Sequence, residues 1–428
     1  MRKQKDMRKI FNKAIKNPLI SGGIVVFIGN FSGNILNFLF NFFMTRNLSV
    51  SDYGTMVSLA SVILLLALAA DSLVPSVMRF AGSYFAKKQV AKAREFFWKL
   101  NNVSFMFSGV LLAAFIVFNK SIGSFLKIND SFLIFITGLS VFMLFLTALN
   151  RGMILAKLSF YYISFLSFFN SALKFVSGIV LVLFGMGARG ALLAFFLAYL
   201  VNYVLTFFSL RFVFNRKTTE AVVSIKKIAS YGLPSAFAMI GITLFITTDI
   251  MLVKHFYPAK EAGIYAGMSL LGKIIFFFSA PVAHVLFPLV VQKRARNESY
   301  NNLFFIAFVF VLISSLGIIG FYFLFSEFSI RTLLKQEEYL AIKSILWIFG
   351  IYMMLHSLLS LVVNYYLSIQ KTIVFVPVIV AALFQALGIW FYHGSFPTII
   401  IVSMISITIP LVLTLVHYGI TYGKIKGQ

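Results

Sequence analysis

A chain of 428 residues with 60% hydrophobic residues, a mean hydropathy of +0.95 and only 11% charged residues is too apolar for a water-soluble domain, because soluble domains carry roughly 25% charged residues. The net charge of +25 would point to nucleic acid in a soluble protein, but here the basic residues fall between apolar runs, as they do in membrane proteins. The absence of cysteine excludes disulfides, thiolate metal sites and a cysteine nucleophile, and the absence of a G-x-x-x-x-G-K-[ST] motif excludes ATP hydrolysis at a P-loop of this chain.

The chain begins with a basic tail, residues 1–19, in which Ile10, Phe11, Ala14 and Ile15 oppose Lys9, Lys13 and Lys16. That pattern suits an interfacial helix on anionic lipid, and equally a solvated tail that sets topology. The apolar run that follows is too long for a signal peptide and lacks a small-x-small cleavage site, so it reads as a retained first helix. Apolar runs bounded by charge or by Gly, Pro and Asn predict helices near 20–45, 53–78, 101–119, 131–155, 160–185 and 188–212. A second set follows near 232–254, 262–291, 301–325, 342–368, 372–392 and 396–418. Twelve crossings leave about 36 residues for each span and its connection, enough for ~20 apolar residues and a short loop.

Lysine and arginine alternate across these crossings. One side takes 26 of the 37 basic residues, in the tail and segments 79–99, 151–157, 211–227, 292–300, 371 and the C-terminus. The other takes nine: Arg46, Lys120, Lys127, Arg189, Lys254, Lys260, Arg331, Lys335 and Lys343. An even number of spans with both termini cytoplasmic satisfies this bias. The expected location is the cell (inner or plasma) membrane.

The halves resemble each other at an offset of 209 residues, where Gly23, Asp52 and Gly54 fall on Gly232, Glu261 and Gly263. Six spans per half make the repeats parallel, related by an axis along the membrane normal, which is a transporter architecture with its cavity between the halves. The predicted fold is therefore all-α and polytopic, with about twelve transmembrane helices in two six-helix bundles, residues 20–214 and 215–428.

The stretch Met44-Thr-Arg-Asn-Leu-Ser-Val-Ser-Asp-Tyr-Gly54 resembles the R-x-L-x-x-x-x-Y-G turn after the first helix of the polysaccharide-exporter (Wzx-like) flippases. Tyr231-Gly-Leu-Pro234, Thr248-Asp249, Gly263-Ile-Tyr265 and Phe287-Pro288 are similar to their seventh and eighth helices, and Gly185-Met-Gly-Ala-Arg-Gly190 to the turn between the fifth and sixth. These proteins belong to the multidrug/oligosaccharidyl-lipid/polysaccharide exporter superfamily. The resemblance implies two bundles around a V-shaped cationic cavity and the flipping of polyprenyl-diphosphate-linked saccharide to the outer leaflet.

Ionisable residues at bilayer depth are costly and need a partner, water or a function. Lys174 lies past the middle of the fifth predicted helix and Lys273 near the middle of the eighth. Two deep cations suit a diphosphate, because ammonium groups act as point-charge partners of phosphate oxygens; each could instead neutralise an acid on a neighbouring helix. Arg79, near the cytoplasmic boundary, is either a third cavity cation or a topology anchor. Asp71, deeper on the same predicted helix, and Asp249, which matches an acidic position of the family, are candidates for ion coupling or for pairing with a cation.

Asn30, Asn34, Asn37 and Asn41 share one face of the first helix, and Ser167, Asn170, Ser171 and Lys174 one face of the fifth. His356, Ser360, Asn364 and Ser368 mark the tenth. Amides facing lipid would be expensive, so Asn30, Asn34, Asn37, Asn41, Asn170 and Asn364 line a cavity or bridge helices. His356 and His284 fit hydrogen-bonded core positions better than proton switches.

The leading functional reading is a flippase working by alternating access. It is not an enzyme, has no catalytic residue, metal or cofactor, and acts as a monomer on a lipid-linked saccharide among membrane lipids and other polysaccharide-assembly proteins, without nucleic acid. A multidrug or small-molecule exporter coupled to H⁺ or Na⁺ stands beside it. So does a membrane glycosyltransferase or polymerase, although the longest outer loop offers only Glu327, Glu337 and Glu338 for acid–base work.

Overall fold

The structure, a computed structural model, describes residues 18–215, 225–295, 298–369 and 371–423. The amphipathic reading of the N-terminal tail therefore lies outside the described residues, as do Lys424 and Lys426. Helices account for almost every described residue, and no strand occurs among them. In hydrocarbon the backbone must satisfy its own hydrogen bonds, which leaves an apolar chain only helices or closed barrels. Polar side chains obey the same rule locally. Thr137 and Ser140 return their hydroxyls to the Leu133 and Ile136 carbonyls at 2.8 Å, one turn back.

The long helices are α1 Pro18–Asn47, α2 Val50–Asp71, α3 Val74–Ala86, α4 Val90–Val117, α5 Ser131–Ala156, α6 Phe160–Leu181 and α7 Gly187–Ser209 in the first half. The second half holds α8 Ile225–Phe256, α9 Ala259–Ala295, α10 Asn301–Leu324, α11 Leu346–Ser368, α12 Phe375–Phe391 and α13 Phe396–Gly423. Pro75 sits in the first turn of α3, where its missing N–H costs nothing, so α2 and α3 form one broken crossing. Ten described segments are long and apolar enough to span a membrane. One of them, Phe160–Ser209, is a hairpin of two crossings, α6 and α7. The reversal is made by Gly185 and Gly187, at φ of +84° and +54°, which side chains other than glycine rarely adopt. With the 30-residue α1, the described residues hold twelve segments of crossing length.

We call the end of the bundle that carries the α3–α4, α5–α6 and α7–α8 connections the inner end, and the opposite one the outer end. Within the first half α1 packs on α6, α5 on α4 and α7, and α6 on α7; within the second, α9 packs on α11, α8 on α12 and α10 on α11. The halves meet mainly where α2 crosses α8 and α9. At that crossing the glycines matched by the repeat touch each other. A Cβ on Gly54 would lie 2.7 Å from the Gly263 backbone, and one on Gly263 would lie 1.9 Å from the Val50 carbonyl oxygen.

The outer ends are tied across the halves by a reciprocal device. The Lys127 ammonium donates to the Phe256 and Tyr257 carbonyls at the end of α8, at 3.0 and 3.4 Å. The Gln336 amide donates to the Thr45 and Leu48 carbonyls at the end of α1, at 3.1 and 2.7 Å. Lys127 and Gln336 stand at the 209-residue offset, and so do Leu48 and Tyr257. Each half thus lends a side chain to cap the carbonyls left open at the other half's first helix. Lys254, counted among the outer-side cations at the end of the helix expected over 232–254, is buried at this seam and donates to the Thr55 hydroxyl at 2.9 Å.

Candidate functional site

A polar cavity of about 370 Å³ opens in the first half, toward its inner end. Five helices build it: α1 supplies Asn30, Asn34 and Asn37, α2 Asp71, α5 Thr147 and Arg151, α6 Ser167, Asn170 and Ser171, and α7 Tyr199 and Asn202. Gly33 lets α1 approach α6 closely enough that an added Cβ would meet the Ser171 hydroxyl at 3.0 Å.

Charge in the cavity is balanced by one pair: the Arg151 guanidinium donates to Asp71 Oδ1 at 2.7 Å. Their side chains are 36% and 43% exposed, so the pair faces open space and is not sealed in packing. Around it, Asn37 reaches the Ser171 hydroxyl at 3.4 Å. Asn170 and Asn202 line the cavity, and each also holds one amide atom, Nδ2 and Oδ1, that is sealed from it and has no hydrogen-bond partner in the protein.

A second, apolar groove of about 610 Å³ lies between the halves, where α1 faces α9. Phe31, Ile35 and Phe38 form one wall, and Ile274, Phe277 and Pro281 lie opposite, with Phe310 of α10. Asn34 lines both the groove and the polar cavity.

The structure thus brings Asn30, Asn34, Asn37, Asn170 and Asp71 together at one cavity. The remaining sequence candidates lie elsewhere. Asn41 turns its amide back to the Asn37 carbonyl at 2.8 Å, and Asn364 does the same to Ser360 in the second half, also at 2.8 Å. Arg79 is exposed on α3. Lys174, one turn beyond Asn170 on α6, is not among the cavity-lining residues; its ammonium sits 5.0 Å from the ring centre of Phe40 and 4.4 Å from that of Phe195, where the ring faces attract a cation.

Lys273, half-buried in the second half, lies within electrostatic reach of a buried polar core that holds Asp249. Asp249 is 1% exposed and accepts from the Tyr265 hydroxyl at 2.9 Å. Beside them, Tyr352 and Gln385 both donate to the Phe245 carbonyl, and a ring nitrogen of His356 lies 3.1 Å from the Ile242 carbonyl oxygen. His356 is thereby a hydrogen-bonded core residue, while the side chain of His284 lies outside the described ones.

Residues the sequence reading missed are Arg151, Thr147, Tyr199 and Asn202. Arg151, at the inner end of the helix expected over 131–155, was counted only among the inner-side cations, whereas the structure places it on the cavity wall. The available signal was Thr147 and Arg151 at i, i+4, with Tyr199 and Asn202 at i, i+3. Arg94, assigned to a loop, is buried and donates to the Phe212 carbonyl at 2.8 Å.

The fold is shared with solved membrane transporters. A multidrug resistance MATE family transporter of the MOP superfamily, in an inward-facing conformation, aligns with a TM-score of 0.71 at 14% identity, covering 92% of this chain and 94% of that one. The lipid II flippase MurJ, in an inward closed conformation, aligns at 0.70 and 14% identity, covering 92% and 87%. An outward-facing MATE transporter aligns at 0.61 and 13% identity, covering 95% of each chain. A search of curated proteins finds no match. The family profile described as "Polysaccharide biosynthesis protein" matches residues 19–294, most of the chain. This multi-pass membrane protein therefore belongs to the polysaccharide biosynthesis protein family.

Proposed function

We propose that the protein is a flippase that carries polyprenyl-diphosphate-linked oligosaccharide from the cytoplasmic to the outer leaflet for surface polysaccharide synthesis. One observation carries the reading: at Asn34 an amide-lined cavity meets an apolar groove between the halves. That arrangement suits an amphiphile whose saccharide enters the cavity while its prenyl chain stays in the groove, in contact with lipid. MurJ, with the same fold, carries a lipid-linked cargo by its name.

The inner end faces the cytoplasm in this reading, with both termini there, as the basic segments favour. The state described is inward-facing. Hydrogen bonds join the halves at the outer end, the cavity lies toward the inner end, and the fold aligns better with inward than with outward conformations of its relatives. Alternating access then consists of releasing the outer ties and closing the inner end. Export of an anionic headgroup against an inside-negative potential is downhill by about 2.3 kcal/mol per charge per 100 mV.

Lys174 and Lys273 lie off the cavity surface and act through the positive potential they add to the interior. Asp249, beside Lys273, and Asp71 remain candidates for ion coupling. A cation-exporting role is less well served, because the cavity's single acid is already matched by Arg151.

The test is leaflet exchange of a fluorescent polyprenyl-diphosphate saccharide in proteoliposomes. Wild-type protein accelerates exchange well above empty vesicles, and a bulky Asn34→Trp variant at the junction of cavity and groove blocks it. Exchange no faster than in empty vesicles would overturn the proposal.

A further inference from the structure

We propose that the face of α10 around Gly317, bordered by the short outer helix Ser326–Leu333, is a distal site for the cargo's prenyl chain and makes the protein selective for long carriers. This rests on the flippase reading and extends it beyond the groove at α1.

An apolar hollow of about 450 Å³ lies where α10 meets that short helix. Ser314, Gly317 and Phe321 of α10 form one wall, and Phe328, Ser329 and Leu333 of the short helix another. Ile274 of α9 lines both this hollow and the groove between the halves, so the two are continuous. The same continuity runs along α10. Phe310, at the groove, is followed by Ser314, Gly317 and Phe321 at i+4, i+7 and i+11, one face of the helix. At ~1.5 Å per residue that strip is about 16 Å long, and it leads from the groove toward the outer end.

Gly317 is what makes the strip concave. Gly54 and Gly263 are small because another backbone lies against them, whereas a Cβ on Gly317 would meet nothing within 4 Å. Its exposed neighbours Ile313 and Leu316 carry large apolar side chains. Glycine in a helix interior costs stability relative to alanine, and no contact within this chain asks for it here.

The hollow is also chemically prepared for hydrocarbon. Ser314 and Ser329 return their hydroxyls to the Phe310 and Phe325 carbonyls at 2.8 and 2.9 Å, and the Tyr322 hydroxyl donates to the Leu271 carbonyl at 2.7 Å. These groups are satisfied and ask nothing of a ligand. Glu327 and Arg331 of the short helix, which do not line the hollow, pair with each other at 3.0 Å.

Length selects the occupant. With the headgroup in the cavity toward the inner end, the tail enters the groove at Asn34 and points to the outer leaflet. One leaflet offers about 15 Å of hydrocarbon, half of the bilayer core. A chain longer than that passes Ile274 and reaches Gly317, while a short one ends within the first groove. Lipid tails are as apolar as a prenyl chain, so the site gains only through closer packing. The methyl branches of isoprene units supply it over a bare glycine floor.

The experiment compares leaflet exchange of one fluorescent diphosphate-linked disaccharide on an undecaprenyl or a farnesyl chain, in phosphatidylcholine proteoliposomes. Wild type moves the long carrier about tenfold faster, the worth of roughly ten well-placed atom contacts. Gly317→Leu fills the hollow and brings the ratio of long to short rates toward one, with Gly317→Ala between. Gly320→Leu is the matched control: a Cβ there also meets nothing within 4 Å, but Gly320 does not line the hollow, so the ratio stays that of wild type. Both leucines enter open space and raise helix propensity, so melting temperatures should not fall.

Equal rates for the two carriers in wild type overturn the proposal. So does a wild-type ratio in Gly317→Leu, or a ratio lost equally in Gly320→Leu. A second arm identifies the occupant, using a diazirine at the far end of the undecaprenyl chain or on a phospholipid acyl chain. Crosslinks from the prenyl end to residues 314–333, reduced by Gly317→Leu, support the assignment. Labelling there by phospholipid alone makes the hollow a lipid site and sinks it. Crosslinking of the prenyl end without leaflet exchange would defeat the flippase reading and leave this one standing, and exchange blind to carrier length would do the reverse.

Discussion

Lys174 shows how one side chain settles in an apolar bundle. Its ammonium rests between the faces of Phe40 and Phe195, and such contacts contribute about 0.5–2 kcal/mol each, more where water is scarce. Lys174→Ala should therefore lower the melting temperature by a few degrees and slow leaflet exchange in part, whereas Arg151→Gln should nearly abolish exchange without a comparable thermal loss. Equal exchange by Lys174→Ala and wild type would remove Lys174 from the transport path. Gly263 is the opposite case, a residue defined by what it lacks. Because a Cβ there would fall 1.9 Å from the Val50 carbonyl oxygen, Gly263→Ala must push the halves apart at the outer end. Spin-label distances across that seam should lengthen in the variant, and unchanged distances would show that the seam can absorb a methyl group elsewhere.

Elements interact through their ends as much as through their faces. The last carbonyls of α1 and α8 have no partner within their own helices, and each set is capped by the opposite half, through Gln336 and Lys127. The caps exist only while the outer end is closed, so they bias the conformational equilibrium. Each is expected to contribute about 0.5–1.5 kcal/mol, so Lys127→Ala and Gln336→Ala should each raise the outward-open population by about 2- to 10-fold, and together by roughly the product. Labelling of a cysteine introduced beneath the seam reads this out; no increase in either variant would deny the caps a gating role.

Near Gln336, the outer loop between α10 and α11 is held by a small ion cluster. Glu327 accepts from Lys343 at 2.7 Å and from Arg331 at 3.0 Å, and Arg331 also bonds Glu337. The Lys343 hydrogen bond, then that from Arg331, lowers the Glu327 pKa below the usual carboxylate value. A depressed carboxylate stabilises the fold above its unfolded pKa and loses that contribution as pH falls through the folded value. Exchange of the loop's amide hydrogens should thus be flat from neutrality down to about pH 4 after correction for the intrinsic rate, and rise only below it. The effect will be small, because the cluster is exposed.

At the scale of the whole molecule, two parallel six-helix bundles meet at an outer seam and leave a polar cavity toward the inner end. Orientation in the membrane is open to a clean test, because the chain has no cysteine of its own. Lys335→Cys should react with a membrane-impermeant maleimide in intact cells, and Lys87→Cys only after permeabilisation. The reverse pattern would invert the direction of transport drawn from the basic residues.

Much of this was legible in the residues. Apolar run lengths and the alternation of lysine and arginine specify twelve crossings, because the bilayer imposes one length on every span and one sign on every second loop. The 209-residue offset marked Gly54 and Gly263 before their contact was visible, and the asparagines at i, i+4 and i+7 on α1 marked a wet face. Tertiary structure alone decided which charges meet. Periodicity orients a side chain about its own helix axis, but the rotation and depth of five helices around a common cavity set its partner. That is why Arg151, read only as an inner-side cation, stands opposite Asp71, while Lys174, one turn from the cavity wall, faces two aromatic rings.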